Sequence, residues 1–410
     1  MVDAGAGRRL DGTWLARGEL MRLLFLAPNV PSPRTGGGSL RMYHMLHFLG
    51  RRFDVDLVAS APAGVDEDAR DLRANCREVE LVPPSRGRLW RRVLRLGPYE
   101  KDPALAAAVR RRLASGMYGA VQIEKPAMVP YLPRHTRVPA VLDLWAYGSV
   151  GALRALRRER GLVRRARTLL QLVRSSVFDA LCWPELAHIL VVSEIDRKRC
   201  LRARPEGRVV VVPNGVDCER ILPARPSESA PPVLVFSGDM GFAPNVDAAL
   251  LLTTRVFPEV RRAYPDAVLR LVGRNPDRRI LALRGEGVTV TGEVPDMLPH
   301  LQAAAVYAAP HFTGAGTRTK LLEAMAAGLP IVTTSIGIEG IEGGDGREVV
   351  VADDAAAIVA AILRLLSHAE ERRRLGAAAR RLAEDRYDWA RCLAPLEKLY
   401  AGLLAVRASG

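Results

Sequence analysis

The sequence predicts an α/β protein made of two doubly wound, Rossmann-like domains. Three observations lead there. Short, nearly continuous apolar runs alternate with segments of helical period, the pattern of strands buried on both faces of a parallel sheet. That alternation occurs twice, on either side of a Pro-rich stretch at residues 213–232 that also holds Asn214, Gly215, Ser227 and Ser229. The chain, at 410 residues, is also too long for one ordinary core.

The first strand expected is Arg22–Ala27. A loop with three glycines follows, Gly36 to Gly38, and then a helix from about Ser39 to Gly50 with Leu40, Tyr43, Leu46 and His47 at helical spacing. A second strand at 54–59 completes the opening unit of a doubly wound domain. Further strands are expected at 78–82, 120–124, 140–143, 188–192 and 208–212. After the break at 213–232, which reads as a linker, strands are expected at 233–236, 267–272, 288–290, 305–309, 330–333 and 348–351. Helices fill the intervals, and two more close the chain. The organisation expected is a polar extension over 1–20, a first domain over 21–212, the linker, a second domain over 233–387, and a terminal helix over 388–410 that returns to the first domain.

Hydrophobic residues at 49% and charged residues at 26% exclude wholesale disorder. Five cysteines with no Cys-x-x-Cys pair argue against a disulfide framework or a thiolate zinc site. No run approaches the roughly 18 apolar residues needed to span a bilayer. The first twenty residues lack the apolar core of a signal peptide and read as an upstream start before Met21. The expectation is a cytoplasmic protein, on the inner face of the membrane if its basic segment meets lipid. That segment matters because the net charge of +15 is not spread evenly: residues 81–210 carry an excess of 16 positive charges and the remainder is close to neutral. Arginines cluster at 86–95, and at 154–174 they alternate with leucine and valine in a basic amphipathic pattern broken at Gly161. Such a pattern fits an anionic membrane surface, or a solvated arginine face over the first domain's core. Nucleic acid is not expected: aromatic residues are 5% and no nucleic-acid module is recognised.

The chemistry is expected between His311 and Thr333. The order there is strand, glycine-containing loop (Gly314, Ala315, Gly316, Thr317, Arg318), short helix (Lys320 to Ala327), Gly-x-Pro turn, strand. Gly314 and Gly316 let backbone N–H groups approach a ligand, and the helix turns its positive end to the same point, which suits an anion. Lys320 and Glu323 share one helix face, three residues apart. A cation for phosphate beside a carboxylate for a ribose diol is how a nucleotide diphosphate is gripped; the same two residues also read as a surface ion pair.

These residues resemble the donor-binding motif of family 4 glycosyltransferases of the GT-B fold, in which two Rossmann-like domains face a cleft. The family pattern is Glu-x7-Glu followed by Ala-Met-Ala-x-Gly-x-Pro. Glu323 takes the second Glu, while Ala315 stands where the first would be. The loop is instead similar to a sugar transferase branch that reads Gly-x-Gly-Thr-Arg-x-Lys. The resemblance extends through Val191–Glu194, Val212–Asp217, Phe236–Ala248, Val272–Gly273, Thr291–Val294 and Ile338–Ile341.

What the resemblance implies is transfer of a sugar, with retention, from a nucleoside-diphosphate sugar to a lipid-linked or polysaccharide acceptor. Glu323 would bind the ribose. Lys320 and Arg318 would stabilise the departing diphosphate, with backbone amides at Gly316 and Thr317 on a phosphate. Gly36, Gly37 and Gly38 would bring first-domain backbone to the donor. Members usually carry Arg and Lys after the first strand of the second domain. Here that loop, Ser237–Asn245, has neither, so Arg274 is drawn in as a further cation. His311 would meet the donor sugar. Where relatives place a first-domain His, this chain has Asp143 at a strand end, a candidate to orient the acceptor or a loop cap. The family works without cofactor and generally without metal, and no His/Asp/Glu cluster with ligand spacing stands in this sequence. A sugar-nucleotide 2-epimerase and a catalytically degenerate nucleotide-sugar-binding protein are the alternatives on the same fold.

Overall fold

The structure is a computed structural model that describes residues 8–10, 13–15, 22–34, 36–62, 66–85, 101–133, 136–159, 161–181, 186–202, 206–224 and 231–408. The arginine cluster at 86–95 lies outside them. At the N-terminus, where the sequence reads as a polar extension, β1 (Arg8–Leu10) and β2 (Thr13–Leu15) pair antiparallel.

Two parallel sheets follow. The first comprises β3 (Arg22–Ala27), β4 (Val55–Ser60), β5 (Glu78–Val82), β6 (Tyr118–Glu124), β7 (Ala140–Leu144), β8 (His188–Val191) and β9 (Val209–Val211), in the order β5-β4-β3-β6-β7-β8-β9. The second comprises β10 (Val233–Ser237), β11 (Val268–Val272), β12 (Val288–Val290), β13 (Val306–Ala309), β14 (Ile331–Thr333) and β15 (Val350–Val351), in the order β12-β11-β10-β13-β14-β15. Both are doubly wound. Strand order reverses between β3 and β6 in one sheet and between β10 and β13 in the other, and at such points the loops leaving the strand ends diverge and open a crevice. The central strands are apolar throughout because helices cover both faces: Leu23 to Ala27 and Leu234 to Phe236 have no exposed surface. The fold is the two-Rossmann architecture expected.

The chain divides into two compact units. One holds residues up to Leu153, 160–213 and everything from Leu393; the other holds 154–159 and 214–392. Residues 214–224, the first part of the stretch read as a linker, are grouped with the second unit. Val216 and Cys218 are buried in the second unit's core. Val216 pairs with Asp388 and donates to the Tyr387 carbonyl at 2.7 Å. Arg380 braces the same stretch through the carbonyls of Cys218 and Ile221. Proline and glycine prevented regular structure there without preventing burial. From Leu393 onward the last helix, Trp389–Ala408, belongs with the first unit. There Tyr400, fully buried, donates to Gln122 of β6. Among the described residues no helix is long and apolar enough to cross a membrane.

The strand ends of the second sheet are held together by glycine. Gly273, just past β11, has φ +147°, and a Cβ there would lie 1.8 Å from the Gly238 carbonyl oxygen at the end of β10. Gly273→Ala is expected to destabilise the second unit by about 3 kcal/mol, because backbone strain and a backbone clash add. Urea unfolding of the variant against the parent measures it.

Candidate functional site

In the second unit the loops after β10 and β13 leave the sheet at its switch point, and side chains tie them together. His311 Nε2 meets Asn245 Oδ1 at 3.0 Å, and Asn245 Nδ2 donates to the Asp239 carbonyl at 2.9 Å. This orientation makes Nε2–H the donor and leaves Nδ1 as a lone-pair acceptor, buried and with no partner. His311 is only 4% exposed. Burial, with the Arg318 charge nearby, pushes its pKa down to about 3, so the ring is neutral at physiological pH. Beneath it, Tyr307 and Ser237 share a hydrogen bond of 2.9 Å.

Gly314 and Gly316 adopt φ +95° and +78°, the left-handed conformations that let the loop double back. Arg318 locks that shape by donating to the carbonyls of Thr313 (3.0 Å) and Gly316. Burial and the Arg154 charge lower its pKa to about 10, and it stays protonated. Asn214 Nδ2 fixes Thr317 through Oγ1 at 2.6 Å. The Thr319–Ala326 helix then begins on Arg318 with no side-chain cap and no acidic residue in its first turn. The Leu321 N–H bonds back to the Arg318 carbonyl at 3.0 Å, and the positive end of the helix dipole lies at this terminus. Lys320 Nζ lies 2.9 Å from both oxygens of Glu323, with 36% and 14% of the two side chains exposed. Each satisfies the other's charge. Arg274 pairs with Asp239 at 3.1 Å, so its charge is partly countered.

Two arginines of the basic segment also act here. Arg154 donates to the Gly314 carbonyl at 2.9 Å and pairs with Glu339, and Arg158 lies 4.5 Å over the Phe312 ring. The stretch 154–174 therefore divides into parts with different contacts. Its first turn, at the end of the Gly148–Arg158 helix, holds the glycine loop, and a second helix runs over Leu162–Leu181.

The first unit has its own arrangement at its switch point. Gly36, with φ +103°, starts the Gly37–Gly50 helix, again without a side-chain cap or an acidic first turn. Gly37 begins that helix and leaves its N-terminus uncluttered. Gly38 is a contact residue: a Cβ there would fall 1.9 Å from the Trp145 ring. Trp145 is in turn covered by the Lys125 ammonium, 4.4 Å from its centroid, and donates Nε1–H to Asp143 at 2.6 Å. Asp143 also takes two bonds of 2.7 Å from Arg41, and both side chains are sealed from solvent. Arg41 reaches the Pro213 carbonyl as well, at 2.9 Å. With its oxygens engaged this way, Asp143 positions Trp145 and Arg41, and the geometry does not point it at an acceptor hydroxyl. Beside it Glu124 is buried; burial and the Asp143 charge raise its pKa well above the carboxylate range, so it is held protonated. Arg41, Trp145, Lys125 and Glu124 were not identified from sequence. A lone arginine on a helix reads as surface, and its partner lies 102 residues away. Among the described residues no group of three or more His, Cys, Asp or Glu could hold a metal.

Two outcomes check this geometry. Arg41→Leu strands a buried carboxylate and is expected to cost about 3–5 kcal/mol in urea unfolding, with part of that recovered when Asp143→Leu is added. His311 is expected to show no titration between about pH 5 and 8 by NMR, because it stays neutral when folded while the unfolded chain takes up its proton. Stability therefore falls as pH drops below about 6.5, and His311→Gln flattens that slope.

Residues 231–368 match the family Glycosyl transferases group 1. A phosphatidyl-myo-inositol mannosyltransferase of Mycolicibacterium smegmatis is 28% identical over 241 residues, 55% of this chain and 60% of that protein. The match thus spans about three fifths of the curated relative's length. Among solved structures, sucrose-phosphate synthase from Thermosynechococcus elongatus superposes with a TM-score of 0.71 at 18% identity, over 94% of this chain and 100% of that one. HepE of Anabaena, in complex with UDP and glucose, gives 0.66 at 15% identity over 93% and 99%. The chain thus has the GT-B fold, and residues 231–368 of its second domain match the Glycosyl transferases group 1 family.

Proposed function

We propose that this chain is a retaining, metal-independent glycosyltransferase that moves a hexose-type sugar from a nucleoside-diphosphate sugar to a lipid-linked or polysaccharide acceptor. The observation that carries the reading is an uncapped helix N-terminus at the β10/β13 switch point with Lys320 and Glu323 on its first turns. The family match, a relative named for mannosyl transfer to a phosphatidylinositol, and a fold neighbour described with UDP and glucose all support it.

On this reading the donor divides the ion pair. Lys320 exchanges the carboxylate for the diphosphate, and Glu323, released, accepts from the ribose hydroxyls. Amides at Gly316 and Thr317 meet a phosphate oxygen. As the glycosidic bond breaks, negative charge grows on the departing diphosphate, and Lys320 and the helix dipole stabilise it without moving. Arg318 acts mainly by fixing the loop and adds its charge from behind. Neutral His311 offers Nδ1 as an acceptor to a sugar hydroxyl. Its missing hydrogen bond is then supplied by substrate, and protonation is not required. Ala315 removes a carboxylate from the loop and leaves its grip to backbone and cations, the variation found in the Gly-x-Gly-Thr-Arg-x-Lys branch.

Isothermal titration with a nucleoside diphosphate is expected to show binding without added metal. Glu323→Ala should weaken it about tenfold, the scale of one or two hydrogen bonds to a charged group. Lys320→Ala should lower transfer by about 10²–10³-fold while leaving the affinity for the free nucleoside unchanged. Unaltered diphosphate binding in both variants would refute this assignment.

A further inference from the structure

The Leu162–Leu181 helix belongs to the first unit and exposes six of its large apolar side chains to solvent. Leu162 is 86% exposed and Val163 83%, and Leu169, Leu170, Val173 and Val177 are each more than 40% exposed. At 100° per residue these six fall within an arc of roughly 120°. Arg165 borders the arc on one side and Arg167 on the other, and both are exposed. The contact face is elsewhere: Thr168, Leu172 and Ser175 are half-buried, and Ser175 packs against Gly148. An apolar ridge of this extent, turned away from the protein's own core, is unusual on a soluble surface.

We propose that this ridge docks on an anionic lipid bilayer, lying in the interface plane with Leu162, Val163 and Leu169 among the acyl chains and the bordering arginines on lipid phosphates. The face is convex, a single helix about 23 Å long from Leu162 to Val177. It therefore offers a ridge to lie in a surface and no groove for a peptide. Cations on both edges match the place where phosphates lie when such a helix sinks to the headgroup boundary. They also argue against a second copy of this chain, since apposing two such ridges brings like charges together. The excess of 16 positive charges in residues 81–210 adds long-range attraction to the same kind of surface. Arg154 and Arg158, engaged with the glycine loop, play no part in this contact.

The test is co-sedimentation of the full chain with vesicles of phosphatidylcholine alone and of phosphatidylcholine mixed with phosphatidylglycerol. Binding is expected to the mixed vesicles only, weakening as salt rises. The triple variant L162S/V163S/L169S should lower the partition coefficient at least about tenfold. Because these side chains are exposed, the variant should keep the parent's Tm, and it should keep its affinity for a nucleoside diphosphate. Leu222→Ser, an exposed leucine outside this helix, should change nothing. No binding by the parent, equal binding to both vesicles, or a variant that binds like the parent overturns the proposal. So does a parent dimer in sedimentation velocity that the variant abolishes, which would assign the ridge to self-association.

Discussion

A helix that starts without a cap has several backbone N–H groups that nothing in its own chain satisfies, and a dipole that makes the same place attractive to negative charge. The Thr319–Ala326 helix starts this way, on a loop whose shape depends on two left-handed glycines and on Arg318 donating to that loop's own carbonyls. Much of the second unit serves this geometry. The Gly238–Gly273 contact lets the neighbouring strand ends approach, and the Asn245–His311 bridge joins the loops on either side of the switch point. Asn214, Arg154 and Arg158 hold the glycine loop from outside. In the Lys320–Glu323 pair neither charge is left alone.

The first unit solves a different problem, keeping charge in a dry interior. Two carboxylates, Asp143 and Glu124, lie close together with one arginine. Arg41 neutralises Asp143 with two parallel bonds, the strongest geometry available to a guanidinium and a carboxylate. Glu124 avoids the remaining cost by keeping its proton. The arrangement contributes little net stability over an apolar core, but removing one member is expensive. What it secures is orientation. Trp145 is held between Gly38, Asp143 and Lys125, and the carbonyl of Pro213, the last residue of this unit before the chain enters the other, is held by Arg41.

The arginine excess separates into distinct physical roles. Arg41 is internal, Arg154 and Arg158 support a loop, Arg111 and Arg112 pair with Glu78 and Glu80 at a sheet edge, and those of the Leu162–Leu181 helix border an exposed apolar ridge. Composition treats all of these as one charge. Beside the arginines of that helix large apolar side chains stand exposed, and the proposed membrane contact rests on them.

The sequence by itself determined the two sheets, nearly strand by strand, because burial on both faces demands continuous apolar runs and each crossover leaves its glycine or proline mark. It also determined the glycine loop, the short helix behind it and the spacing of Lys320 and Glu323, since these are local and their geometry follows from helical pitch. Tertiary structure alone decided what is paired with what. That Arg41 lies against Asp143, that Asp143 is sealed, that residues 214–224 are core and that Arg154 turns to Gly314 all depend on contacts across about a hundred residues or more, or on burial that composition does not reveal. A side chain's charge is written in its type. Its partner, and so its pKa and its function, is fixed only when distant strands bring the two together.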